Sequence, residues 1–165
     1  MNKTIKLKIM KKLLLSIGFL TAFIFTSNAQ EIADNAIGLR FSENGGSGIE
    51  ATYQRKLSDT NRLEIDLGIR GNNSYSFIKA TGLYEWVWQL DGNFNWYAGF
   101  GGGVGSWSVK NADSSVFIFA AGVVGIEYNF DFPLQLSLDF RPEIGFNDFY
   151  DGYNSDFGLS ARYQF

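Results

Sequence analysis

From Ala36 onward, apolar residues fall on every second position of the chain. One stretch alternates Ile49, Ala51, Tyr53 and Leu57 with Glu50, Thr52, Gln54 and Lys56. Another alternates Leu63, Ile65, Leu67 and Ile69 with Arg62, Glu64, Asp66 and Arg70. Leu134, Leu136, Leu138, Phe140 and Ile144 alternate with Gln135, Ser137, Asp139, Arg141 and Glu143, and Phe157, Leu159, Ala161, Tyr163 and Phe165 with Gly158, Ser160, Arg162 and Gln164. A period of two puts each set on its own face of a sheet. No later stretch sustains the 3.6-residue period of a helix, so the pattern predicts an all-β chain.

Turn residues divide it into eight strands, near 36–42, 48–57, 62–71, 77–90, 94–107, 115–130, 134–146 and 156–165. Three connections are tight: Ser58 to Asn61, Asp91-Gly92-Asn93 and Asp131-Phe132-Pro133. Asp-Gly is a strong hairpin signal. The other four, at 43–47, 72–76, 108–114 and 147–155, are longer. Short and long connections alternate. In a meander this places the tight turns and both chain ends at one end of the sheet and the longer loops at the other.

Alternation does not say which face is outside. A soluble lipocalin-type barrel hides its apolar face, and a membrane barrel shows it. Strand length favours the membrane, since a spanning strand needs about 9–11 residues. So do the aromatics. Trp86, Trp88, Phe94, Trp96, Tyr128, Phe130, Tyr163 and Phe165 gather at the tight-turn end, as a girdle at one interface does. Phe41, Phe146 and Phe157 supply a sparser girdle opposite. The reading is an eight-stranded antiparallel up-and-down transmembrane β-barrel with short periplasmic turns, longer external loops and both mature termini in the periplasm.

The first residues change the charge arithmetic. Lys3, Lys6, Lys8, Lys11 and Lys12 precede an apolar run from Leu13 to Phe25, followed by Ser27-Asn28-Ala29. Basic region, short apolar region and small-residue site predict a secretory signal peptide over 1–29, cleaved to leave a barrel domain over 30–165. The run is too short for a spanning helix. Loss of the five lysines turns a net charge of −3 into a clear acidic excess. This argues against nucleic acid as a partner.

Composition narrows the chemistry. The chain has no His and no Cys. A Ser-His-Asp relay, an imidazole shuttle, a thiolate nucleophile, a disulfide and the common zinc ligand sets are all excluded. The expectation is a non-enzyme with no cofactor and no metal. The run Gly99 to Gly105 fails the spacing of a dinucleotide fingerprint and no helix follows it. Segment 147–154 holds carboxylates and amides but lacks the ordered spacing of a calcium loop.

With the polar parity inward, the lumen becomes the candidate site. It takes Arg40, Lys56, Arg62, Arg70, Lys79, Arg141 and Arg162 against Glu50, Glu64, Asp66, Glu85, Glu127, Asp139 and Glu143. An eight-stranded barrel is just wide enough for side chains to fill. Charges held there must be paired. Equal numbers suit an internal ion-pair plug, with Asp139, Arg141 and Glu143 at its centre. The alternative is a narrow channel gated by rearranged pairs. Gly99, Gly101, Gly103 and Gly105 take successive lumen positions, making room for neighbours such as Phe117 and Phe119, or forming a slot for an acyl chain. Glu43, Asp113, Asp148, Asp151 and Asp156 make the loops acidic against Lys110.

Leader, eight alternating strands and the terminal Leu159-Ser160-Ala161-Arg162-Tyr163-Gln164-Phe165 together resemble small bacterial outer-membrane β-barrels of the OmpA/OmpX-like type, without a periplasmic domain. In that group a final strand ending in Phe, with apolar residues at alternate positions, is the signal for barrel assembly; Leu159, Ala161, Tyr163 and Phe165 fit it. The resemblance implies an integral outer-membrane monomer whose partners are lipid and the barrel-assembly machinery, with a structural or surface-interaction role. A small porin-like channel and a soluble periplasmic lipocalin-like carrier are the alternatives.

Overall fold

The computed structural model describes residues 32–42, 48–71, 75–109, 114–147 and 150–165. The leader and the loop residues Glu43, Lys110, Asp113 and Asp148 lie outside the described residues, as does the side chain of Asp151. The strands are β1 (Asn35–Ser42), β2 (Gly48–Lys56), β3 (Asn61–Gly71), β4 (Tyr75–Asp91), β5 (Phe94–Val109), β6 (Ser115–Asn129), β7 (Leu134–Asn147) and β8 (Tyr150–Gln164). Each pairs antiparallel with the next, and β8 returns to β1 to close the barrel. At that seam Ile37 faces Tyr163 and Leu39 faces Ala161. The Asn35 N–H donates to the Phe165 carbonyl (3.0 Å) and the Phe165 N–H to the Asn35 carbonyl (2.9 Å). Closure leaves no strand edge with unpaired backbone groups, the condition for crossing a bilayer with strands.

Local chemistry explains the wall. Between β4 and β5, Gly92 takes φ +52°, the conformation the Asp-Gly turn demands. Pro142 sits within β7, where it has no N–H to give; the β6–β7 ladder skips from Ala121↔Glu143 to Val124↔Phe140 around it.

One boundary differs from expectation. β8 starts at Tyr150, not near residue 156. Tyr153, Asn154 and Ser155, expected in an external loop, pair with Ile144, Glu143 and Pro142. Only residues 148–149 separate β7 from β8. Gly152, at φ +85°, lets the strand run through a polar, aromatic segment whose composition reads as loop. This connection is therefore briefer than expected. Phe157 consequently lies within the wall opposite Phe140, not at a rim.

Burial is inverted relative to a soluble protein. Arg40, Glu85, Arg141 and Glu143 are 0 % exposed, while Ile69, Phe100 and Val116 are above 60 %. A lipocalin-like carrier needs the charged set outside, and the structure places it inside.

Candidate functional site

Eight strands bring their polar parity to one narrow bore. On the side formed by β1–β3 and β7–β8, the side chains make a continuous chain of ion pairs. The Arg40 guanidinium grips Asp139 with two N–H groups, Nη2 to Oδ1 at 2.5 Å and Nε to Oδ2 at 3.1 Å. Its Nη1 reaches Glu50 and Asp156, each at 3.0 Å. Glu50 also accepts from Arg141 (3.2 Å), which binds Asp66 (2.5 Å) and Glu64 (3.4 Å). Glu64 passes the chain to Arg162 (2.9 Å), whose other N–H groups donate to Thr52, Gln135 and Ser137. Two further links cross the bore. Arg62 on β3 binds Glu85 (2.6 Å) and Glu127 on β6 (2.7 Å), and Lys79 on β4 binds Glu143 on β7 (2.6 Å).

Charge-assisted pairs of this kind are the strong hydrogen bonds of a low-dielectric interior, and each partner needs the other to offset its own desolvation. Arg141 on β7 reaches carboxylates on β2 and β3, so the network bridges the bore from wall to wall. Arg62 also lies 4.7 Å above the Tyr97 ring, a cation–π contact that buries its apolar face.

Of the fourteen residues expected in the network, twelve are buried there. The exceptions are Lys56, which lies near the rim beside exposed Asp59 (3.4 Å), and Arg70, whose side chain lies outside the described residues. Asp139, Arg141 and Glu143 face the same way; Asp139 and Arg141 share one network through Arg40 and Glu50, and Glu143 binds Lys79. Asp156 was expected in an acidic loop and is instead buried against Arg40. Its parity matches Gly158, Ser160 and Arg162, and it stands at the first position of the strand expected over 156–165. Among the described side chains, the fully buried charges are Arg40, Arg62, Lys79, Arg141 and Arg162 against eight carboxylates. These described side chains carry an acidic excess, with Arg70 outside the count.

The lumen glycines do make room. A Cβ on Gly103 would collide with the Phe119 ring, and one on Gly105 with the Phe117 ring. Gly125 similarly clears the Tyr97 ring, and Gly158 the Arg40 guanidinium. Gly105→Val is expected to force Phe117 from its place and destabilise the barrel by about 1–3 kcal/mol in chemical unfolding, the usual cost of overpacking.

Outside, the aromatics expected in the girdle meet in several separate ring contacts. Trp88 stacks on Trp96 (4.4 Å), Phe94 meets Tyr128 (4.7 Å), Tyr128 meets Phe130 (4.7 Å), and Tyr163 lies along Phe165 (6.2 Å). Trp86 sits between Tyr84 and Phe100. Phe132, within a turn, extends the set at 5.1 Å from Phe130. Leu159, Ala161, Tyr163 and Phe165 alternate with the buried Ser160 and Arg162, and Leu159, Tyr163 and Phe165 are exposed.

No family model matches the chain, and no curated protein sequence matches it. Solved structures do. The N-terminal β-barrel domain of Pseudomonas aeruginosa OprF superposes with a TM-score of 0.68 at 14% identity, over 81% of this chain and 98% of that domain. Neisserial surface protein A gives 0.55 at 13% identity, over 79% and 94%. Ail, the attachment invasion locus protein of Yersinia pestis, gives 0.55 at 16% identity, over 79% and 96%. The chain has the fold of the small eight-stranded outer-membrane β-barrels.

Proposed function

We propose that the chain is a non-enzymatic integral protein of the bacterial outer membrane, a monomer whose lumen is plugged by its own ion pairs and whose role is structural or surface-interacting. The observation that carries this reading is the inverted burial. Arginines and carboxylates fill the bore, and Ile, Leu, Val and Phe side chains are exposed on the outside of every strand. Water repels such an exterior, and a bilayer accommodates it. Partners follow from the same surface: lipid around the wall, and the barrel-assembly machinery at the strand ending in Phe165. The tight turns and both mature chain ends lie in the periplasm, and residues 1–29 deliver the chain there.

The plug is supported by the three links that span the bore, through Arg141, Arg62 and Lys79. The non-enzymatic reading is supported by the lack of His and Cys and by carboxylates already engaged with arginine. A small channel is the second reading. The acidic excess among the buried charges favours it in one respect, since it would give such a channel a preference for cations.

Cell fractionation with gel mobility tests the location. The protein is expected in the outer-membrane fraction, migrating differently before and after boiling because a folded barrel resists detergent. Recovery in the soluble fraction with heat-insensitive mobility would overturn the reading.

A further inference from the structure

Among the described side chains, Lys79 holds the ion pair of β4, β5 and β6 nearest the loop end of the bore. There the inward positions of β4, β5 and β6 carry rings: Phe77, Trp107, Phe117 and Phe119. Phe77 stacks on Phe117 (5.4 Å between centroids, 18° between planes) and meets Trp107 edge-on (6.0 Å). Phe117 lies 6.1 Å from Phe119. Ser42, Gly48, Gly68 and Gly145 supply small inward residues on the facing strands, and Arg70, beyond Gly68 on β3, has its side chain outside the described residues. Large against small lets rings occupy a narrow bore instead of lining it. Phe117 is 0 % exposed and Phe119 4 %.

We propose that these rings form an aromatic stopper that closes the lumen from the loop side, independently of the ion pairs beneath. The inference rests on the plugged-lumen reading and deepens it, because two seals of unlike chemistry stand in series. An ion-pair network opens when partners exchange. An apolar constriction stays shut under that exchange, because it excludes ions by failing to hold water. Lys79 joins the two layers: its ammonium binds Glu143 and lies 5.1 Å over the Phe119 ring. Exchange of the Arg141 or Arg40 pairs alone therefore leaves the loop side closed.

The chain lacks cysteine, so a single introduced thiol reports cleanly. Thr81 is buried and pairs with Gly103, the glycine beneath the Phe119 ring. In T81C on intact cells, an impermeant cationic thiosulfonate added outside is expected to label slowly. Adding F117A and F119A should raise the rate about tenfold or more, as for a site that an apolar constriction had kept dry. Adding R141A and D66N, with the rings intact, should leave it unchanged. Folding of each variant is checked by the heat shift on gels. Labelling that is fast with the rings present, unchanged by their removal, or accelerated by R141A and D66N overturns the stopper. If the ring variant does not fold, the R141A and D66N arm still decides: slow labelling upholds the stopper and fast labelling sinks it. Steady conductance of the wild-type chain in planar bilayers would instead sink the plugged-lumen reading itself.

Discussion

Arg141→Ala is expected to destabilise the folded barrel by about 3–5 kcal/mol, the cost of leaving buried charges without their partner. The guanidinium contacts Glu50, Glu64 and Asp66 at once. Glu50 keeps Arg40 and Glu64 keeps Arg162. Asp66 keeps nothing comparable, since Oδ1 has no hydrogen-bond partner and Oδ2 is held by Arg141. Most of the cost therefore falls on one carboxylate. Asp66→Asn in the same chain should recover a large part of it, because a neutral amide removes the stranded charge. Lys56→Ala supplies the contrast. Its ion-pair partner Asp59 is 87 % exposed and keeps its hydration when the lysine is lost, so the loss should be well below that of Arg141→Ala. Denaturant unfolding in lipid vesicles, read by the fluorescence of the four tryptophans, measures all three. Equal, small losses for Arg141→Ala and Lys56→Ala would mean that the network contributes nothing to holding the barrel.

The alternation made β3, β7 and the end of β8 legible because one face of each is charged and the other apolar. Parity alone put Glu64, Asp66, Asp139, Arg141 and Arg162 on one face, and strand length with the aromatic cluster turned that face inward. β6 resisted the same treatment. Its inward residues Phe117, Phe119, Ala121 and Val123 are as apolar as the outward Val116, Ile118 and Val124, so polarity does not label its faces. Only the glycines of β5 pointed to rings on that side. Asp156, at the first position of its expected strand, was counted with the loop before it. Tyr150 to Asn154 has the composition of a loop, and the ladder to β7 overrides that preference. The partners within the lumen were not legible at all. Which carboxylate meets which arginine depends on register and on reach across the bore, as when Arg62 on β3 finds Glu127 on β6. Local sequence carries neither.

Val124→Arg is expected to destabilise the barrel by about 2–4 kcal/mol in lipid, whereas Tyr163→Arg should cost no more than about 1 kcal/mol. Both side chains point outward and are similarly open, at 46 % and 57 %. They differ in depth. Tyr163 belongs to the aromatic belt beside the chain terminus. Val124 lies four residues up β6 from Tyr128, about 10 Å deeper once strand tilt is allowed for. A charge in the belt reaches the headgroups, and one at mid-depth must snorkel or thin the bilayer. In a soluble barrel neither substitution would be penalised, since each would put a charge where water already is. The difference between the two variants, measured by unfolding in the same vesicles, thus reports the solvent around the wall. A difference near zero would remove the membrane from the account, and with it the physical reason for an exterior of Ile, Leu, Val and Phe.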